Sequence, residues 1–220
     1  MNRARYRRDT PGWNVSMCST RILTASARGA LLLLWALGTH AAIAVSGWQL
    51  SAEELARLDR REVLLPPEPP AIHHENSFRA AIEINAPAAQ VFRTMTDCAQ
   101  ALQFVPHLVR CAVLETAPDR YWQIIEHEVT FGWFPPHASY VFRAAYEPAA
   151  RVHFSGVGGD FAKNEGDWQL APRRAGAATV VTYQADVMPR FYVPRWIALG
   201  SLKRDLPALL VGLRTRCETP

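Results

Sequence analysis

The sequence of 220 residues lacks the short motifs that mark several classes of enzyme. It contains no Gly-x-Ser-x-Gly nucleophile elbow, no glycine-rich phosphate loop and no Cys-x-x-Cys pair. These absences argue against a serine hydrolase, a glycine-loop phosphate site and a thiol redox enzyme. We therefore assign no catalytic residue from motifs.

Ligand sets for a metal ion are missing as well, because the His and Cys spacings typical of zinc sites do not occur. Two triplets, His73-His74-Glu75 and Glu126-His127-Glu128, contain suitable residue types. Adjacent residues of a strand point to opposite faces, so neither triplet can close on one ion. We expect no metal and no cofactor.

The chain also lacks a basic stripe, although its pI is about 9.1. Residues 1–44 hold six Arg and one Asp, so the 24 basic and 20 acidic residues of the whole chain become 18 and 19 downstream. Nucleic-acid binding needs a concentrated positive surface. The charge distribution therefore predicts no nucleic-acid partner.

The Arg-rich start leads into a short apolar run over residues 30–37 and then into Ala42-Ile43-Ala44. A basic segment, an apolar segment and an Ala-x-Ala pattern are typical of a secretory signal peptide. The run is short for a membrane span. We predict a signal peptide at 1–44 and export, to the periplasm; an uncleaved anchor in the inner membrane is the alternative.

Cysteine is scarce, with Cys18 in the leader and only Cys98, Cys111 and Cys217 beyond it. An exported location permits disulfides. The short separation of Cys98 and Cys111 is compatible with one bridge and a leftover thiol. Three unpaired thiols are the alternative, and the sequence leaves both open.

Residues 45–71 read as an N-terminal arm that precedes a compact domain at 72–220. Residues 51–62 are helix-like, with Ser51 as N-cap and Glu54 completing a capping box. Four prolines between positions 66 and 70 then predict a stiff extended linker. We place the start of the compact domain near Ile72.

The body of the chain alternates like strands, with helical spacing at two places. A strand at 78–84 is followed by two short helices, one opening with Pro87 at its first position and one at about 100–104. Six strand-like segments follow, separated by turn signals: 109–116, 120–134, 138–147, 151–158, 165–171 and 177–188. A long helix at 196–216 carries a Leu stripe, and Pro207 should bend it near Leu206.

This order predicts an α+β fold in which an antiparallel sheet with one apolar face is covered by the C-terminal helix. A curved sheet that grips one helix leaves space between them. That space is where we expect a ligand.

Several short motifs resemble those of the START-like superfamily, in its polyketide cyclase/dehydrase and coenzyme-Q-binding branch. The resemblance covers about residues 78–217, and the motifs that carry it are Ile84-Asn85-Ala86-Pro87, Asp97 with Phe104-Val105-Pro106, Gly159-Asp160-Phe161 with Trp168-Gln169-Leu170, and Met188-Pro189-Arg190-Phe191-Tyr192-Val193-Pro194. It implies a helix-grip fold with a curved sheet of about seven strands. It also implies binding of hydrophobic ligands such as lipids, isoprenoid quinones or polyketides.

Candidate ligand-binding residues follow from the alternating faces and from the resemblance. The strands contribute Ile125, His127, Phe131, Tyr140, Phe142, Phe154 and Tyr183. By family analogy Phe104 and Pro106 lie near the cavity mouth, and Trp196, Leu199 and Leu206 form a lid on the long helix. His127 is either a polar group inside the cavity or a core histidine satisfied by a neighbour.

The leading hypothesis is non-catalytic binding, sequestration or transfer of a hydrophobic small molecule or lipid in the cell envelope, by a monomer with peripheral membrane contact. A cyclase- or dehydratase-type enzyme that uses a pocket His or Tyr is one alternative. A protein-interaction module whose cavity is filled by side chains is the other.

Overall fold

The computed structural model describes residues 48–65, 77–131 and 137–219. The predicted signal peptide, the proline linker and the triplet at 73–75 lie outside these ranges. Within them, no helix combines the length and the apolar character that crossing a membrane requires.

Seven antiparallel strands form one sheet in the order β1-β7-β6-β5-β4-β3-β2. Their bounds are β1 Ser77–Ile84, β2 Leu108–Thr116, β3 Trp122–Thr130, β4 His137–Glu147, β5 Arg151–Gly159, β6 Phe161–Arg173 and β7 Ala178–Pro189. Strands β2 to β7 pair with their neighbours in sequence, as the series of turn signals predicts. The first strand closes the sheet by pairing with the last.

In the described residues, four α-helices accompany the sheet: α1 Ala52–Asp59, α2 Ala88–Thr96, α3 Cys98–Phe104 and α4 Arg195–Glu218. Ser51 and Glu54 form the predicted capping box of α1. Pro87 is the N-cap of α2 and not its first residue. The third helix begins two residues earlier than predicted, because the Asp97 carboxylate accepts the first free backbone N–H groups.

The long helix α4 packs on the inner face of β1 and on α3. Leu206, Leu210 and Leu213 are buried there in one cluster with Ile82 and Ile84. Helix α4 continues through Pro207 without interruption, and a bend near Leu206 stays a prediction. This arrangement confirms the helix-grip fold.

Residues 48–65 pack on the outer face of the same sheet. Leu58 and Leu64 are buried against Ala81 and Val180, and Leu64 exchanges two backbone hydrogen bonds with Ala81, at 2.8 and 3.0 Å. The sequence separated this arm from the domain. The structure instead uses the apolar side chains of the arm to cover the outer face of β1 and β7.

Charged groups reinforce this contact. Arg61 donates to the Glu218 carboxylate at the end of α4, at 2.5 and 2.9 Å. On the outer face, the buried carboxylate of Glu83 pairs with Arg173 and Arg174, and both arginines also contact Asp59 of α1. Asp59 and Arg61 of the arm are therefore both held by ion pairs to the rest of the domain.

Candidate functional site

A cavity of about 150 Å³ lies between the inner face of the sheet, the helices α2 and α3, and α4. Seven of the predicted ligand-binding residues line it, namely Phe104, Ile125, His127, Tyr140, Phe142, Phe154 and Tyr183. The same wall includes Met95, Thr96, Asp97, Cys98, Ala101, Val105, Cys111, Ala144, Tyr146, Val152, Asn164, Trp168 and Leu209.

The strand register explains why these side chains converge. Ile125 lies opposite Phe142, and His127 lies opposite Tyr140, in the antiparallel pair of β3 and β4. Side chains of facing residues in such a pair share one face of the sheet. Glu128, next to His127 in sequence, points the other way and pairs with Arg110. The period of two therefore separates the apolar wall from the charged outer face.

Glycine at position 166 lets an aromatic ring approach the sheet. A Cβ there would lie against the Gln184 carbonyl oxygen of β7 and 2.7 Å from Cζ of Phe154. Phe154 in turn stacks on Tyr183, with ring centroids 6.1 Å apart. The missing side chain thus makes room for one wall of the cavity.

Five predicted site residues lie away from the cavity. Pro106 is in the turn after α3, and its neighbour Val105 lines the wall instead. Phe131 packs on the edge of the core. The proposed lid needs correction: Trp196 is 75% exposed and Leu206 is buried in the core, while Leu199 is half-buried and does not line the wall.

Among the side chains of α4 that the structure describes, Leu209 is the one that lines the cavity. Leu206, Leu210 and Leu213 are committed to the core, so their positions fix the rotation of the helix about its axis. This rotation turns the side of α4 that holds Leu209 toward the cavity. Periodicity identified the apolar stripe, but it did not divide the stripe between core and cavity.

His127 and Tyr140 form the polar centre of the wall. Nδ1 of His127 is 3.0 Å from the hydroxyl of Tyr140, and the His127 ring stands edge-on to Phe142 at 5.0 Å. Burial lowers the pKa of His127 to about 4 and raises the pKa of Tyr140 above its ordinary value. Both side chains are therefore uncharged near neutral pH.

Two further tyrosines carry polar atoms on this wall. The Tyr146 hydroxyl donates to Oε1 of Gln123 at 2.7 Å, and burial raises the pKa of Tyr146 to about 12. Burial, followed by the neighbouring Tyr140, raises the pKa of Tyr183 as well. The aromatic wall thus offers hydroxyl groups and no phenolate.

Asn164 and Trp168 were missed as site residues, although both are on β6 and line the cavity. The Trp168 ring lies 4.3 Å from that of Tyr183. Extending the period of two along 164, 166 and 168 would have found them. The predicted strand began only at residue 165 and so left out Asn164, whereas Trp168 lay inside it and was not selected.

A disulfide joins Cys98 at the start of α3 to Cys111 on β2, with their Cα atoms 5.4 Å apart. Both cysteines line the cavity. Cys217 is a free, buried thiol, and burial raises its pKa. Of the two alternatives that the sequence left open, the structure has one bridge and one leftover thiol.

The resulting site can enclose an apolar group and offer it neutral hydrogen-bonding partners. Over the ranges that the structure describes, no three His, Cys, Asp or Glu side chains are grouped as metal ligands. Asp97 is on the wall, but its carboxylate caps α3 by accepting from the N–H groups of Ala99 and Gln100. The arrangement favours an uncharged ligand.

Comparisons with known proteins agree with this geometry. The profile of the family described as "Polyketide cyclase / dehydrase and lipid transport" matches residues 84–214, more than half of the chain. No curated protein matches the chain.

Solved structures share the fold at low sequence identity. A STAR-related lipid transfer protein from Xanthomonas axonopodis has a TM-score of 0.58 and 19% identity, over 71% of this chain and 99% of that one. The Zhui aromatase/cyclase from a Streptomyces species has a TM-score of 0.55 and 16% identity, over 64% of this chain and 93% of that one. A START superfamily protein from Mycobacterium smegmatis has a TM-score of 0.53 and 20% identity, over 64% of this chain and 97% of that one.

These findings confirm the START-like resemblance at the level of the superfamily, and the coenzyme-Q-binding branch stays a prediction. The family profile and the helix-grip fold coincide on the same residues. The chain belongs to the polyketide cyclase/dehydrase and lipid transport family.

Proposed function

We propose that this protein binds an uncharged, hydrophobic small molecule in the cavity beneath α4, and that it sequesters or transfers this molecule without chemical change. The observation that carries the proposal is the cavity itself, about 150 Å³ with seven Phe, Tyr and Trp side chains on its wall. A cavity filled by side chains would have favoured an interaction module instead.

The volume limits what the cavity holds in this conformation. An engineered apolar cavity of about 150 Å³ in another protein holds one benzene ring, whereas pockets for drug-sized ligands span roughly 300–1,000 Å³. Complete enclosure of a lipid, an isoprenoid quinone or a polyketide therefore requires the walls to move apart. Leu209 of α4 and Phe104 of α3 are among the helix residues on this wall that such a movement would displace.

The protonation states favour binding over acid–base catalysis. An effective general acid or base has a pKa near the working pH. Burial moves the pKa of His127 down to about 4, and burial moves that of Tyr140 up. Both shifts lead away from neutrality, so the pair is suited to hydrogen-bond a neutral oxygen atom of the ligand.

An enzyme of the cyclase or dehydratase type is the second candidate, and the hydrogen bond between His127 and Tyr140 is the observation that favours it. The two candidate functions predict different results for one variant. His127→Ala should abolish turnover if the protein is such an enzyme. It should only weaken ligand binding if the protein is a carrier.

The disulfide on the wall supports a location in an oxidising compartment, because such bonds rarely persist in the cytosol. We therefore extend the proposal to the cell envelope, which agrees with the leader at 1–44. Residues of the leader found in mature protein from the native host would indicate the membrane-anchored alternative.

The test is native mass spectrometry of protein purified from a lipid-containing host, followed by titration of the emptied protein with toluene, phenol and a short isoprenoid quinone. Ala144→Phe places a ring in the cavity and should abolish binding. Ala208→Phe makes the same change at an exposed position of α4 and should not. An empty protein that none of these compounds stabilises would refute the proposal.

A further inference from the structure

The stretch of residues 188–204, which runs from the end of β7 through the first part of α4, exposes large apolar side chains that do not line the cavity. We call it the β7–α4 segment. Tyr192 is 86% exposed, Trp196 is 75% exposed and Met188 is 43% exposed. Exposed apolar groups concentrated in one segment mark an interaction surface.

The β7–α4 segment is also basic. It contains Arg190, Arg195, Lys203 and Arg204 and no Asp or Glu, although the chain after residue 44 has one more acid than base. Across the parts of the chain that the structure describes, Arg190 and Lys203 form no ion pair, while Arg204 pairs with Asp205. The segment is therefore a local concentration of positive charge, which attracts an anionic surface.

Two ring contacts separate this segment from the cavity wall. Phe191, beside Tyr192, lies edge-on to Phe161 at 6.3 Å. Phe161 lies edge-on to Tyr140 at 5.4 Å, and Tyr140 lines the cavity. A partner that binds the β7–α4 segment would therefore lie next to the ligand site.

We infer that the β7–α4 segment docks on an anionic lipid surface, with Tyr192 and Trp196 in the interfacial layer and the basic side chains at the headgroups. Tyr and Trp favour this layer because one end of each side chain is apolar and the other is polar. Lys and Arg add attraction to anionic lipids. Docking does not require a filled cavity, so it is independent of the proposed ligand.

A second copy of the chain fits this surface less well. In a twofold dimer the same patch meets itself, which would bring the basic residues of the two segments together, with Asp205, already paired with Arg204, as the neighbouring acid. Like charges placed opposite each other oppose association. A lipid surface supplies the complementary charge and an apolar layer at once.

The experiment is co-sedimentation of the full chain with vesicles of phosphatidylcholine, alone or mixed with phosphatidylglycerol. Every variant keeps the leader, so differences between variants report on the segment. Tyr192→Ser with Trp196→Ser should weaken binding on the order of tenfold. Arg190→Gln with Lys203→Gln, which removes the two described basic residues without an ion pair, should weaken binding to the anionic vesicles on the order of 25-fold at low salt, about fivefold per residue.

Leu114→Ser with Tyr121→Ser is the matched control, because these residues are 54% and 57% exposed and lie outside the segment. It should leave vesicle binding unchanged. Equal binding by wild type and by both segment variants would overturn the inference, and so would equal binding to both kinds of vesicle. A self-association that the segment variants abolish, with vesicle binding unchanged, would identify a second copy as the occupant and also overturn it.

Discussion

Reduction of the disulfide between Cys98 and Cys111 should lower the free energy of unfolding by about 3 kcal/mol. The bridge joins residues 13 apart in sequence, and closing a loop of that size restricts the unfolded chain by about this amount at 25 °C. For a domain of this size, such a loss corresponds to a fall of roughly 6–12 °C in Tm. Because both cysteines line the cavity, reduction should also weaken ligand binding.

The assay is urea unfolding with and without a reductant, combined with titration of thiols. The full chain has four Cys, so the unfolded, unreduced protein should show two reactive thiols, and reduction should raise the number to four. Cys98→Ala with Cys111→Ala should make stability insensitive to the reductant. Cys217→Ala is the control and should leave the sensitivity unchanged.

The loop argument is refuted if full reduction, verified by the four thiols, leaves the unfolding midpoint where it was. The disulfide is refuted separately if the unfolded, unreduced chain already shows four thiols. The first outcome would show that the estimated contribution of the disulfide to stability is wrong. The second would show that the disulfide itself is absent.

Two further predictions concern pH and packing. Because burial places the pKa of His127 at about 4 in the folded protein, below the ordinary value of about 6.5, the unfolded chain binds the proton more tightly. The free energy of unfolding should fall as the pH drops from 6.5 to 4, by at most about 3 kcal/mol. The measurement is the urea midpoint as a function of pH. Equal slopes for wild type and His127→Phe would contradict this prediction. Gly166→Ala should cost about 1–3 kcal/mol, because its Cβ meets the backbone of β7 and pushes the Phe154 ring toward the cavity. Gly200→Ala in α4, whose Cβ meets nothing within 4 Å, is the matched control in urea unfolding and should stabilise the protein by roughly 0.5–1 kcal/mol.

Side-chain alternation along the strands predicted part of the cavity wall from the sequence. The alternation over 120–134 and 138–147 placed Ile125, His127, Tyr140 and Phe142 on one face, and all four line the cavity. The prediction succeeded because direction alternates strictly along a strand. It failed for Asn164 only because the start of β6 was placed too late.

The helix shows where periodicity was insufficient. The stripe on α4 was predicted, but Trp196 was expected in a lid and is exposed. A helical stripe is broad, and only contacts with β1 and α3 decide which part of it is buried. The packing of the arm at 48–65 was not predicted for the same reason. No local pattern indicates that Leu58 and Leu64 cover the outer face of the sheet.

The sequence by itself determined the order of the elements, the capping box at Ser51, the aromatic face of the sheet and the family resemblance. Each of these depends on residues close together along the chain or on the fixed geometry of a strand. Only the tertiary structure decided the cavity volume, the rotation of α4, the bridge from Cys98 to Cys111 and the uncharged state of His127. These depend on how far apart distant elements pack and on how much water they exclude, and no local pattern encodes either quantity.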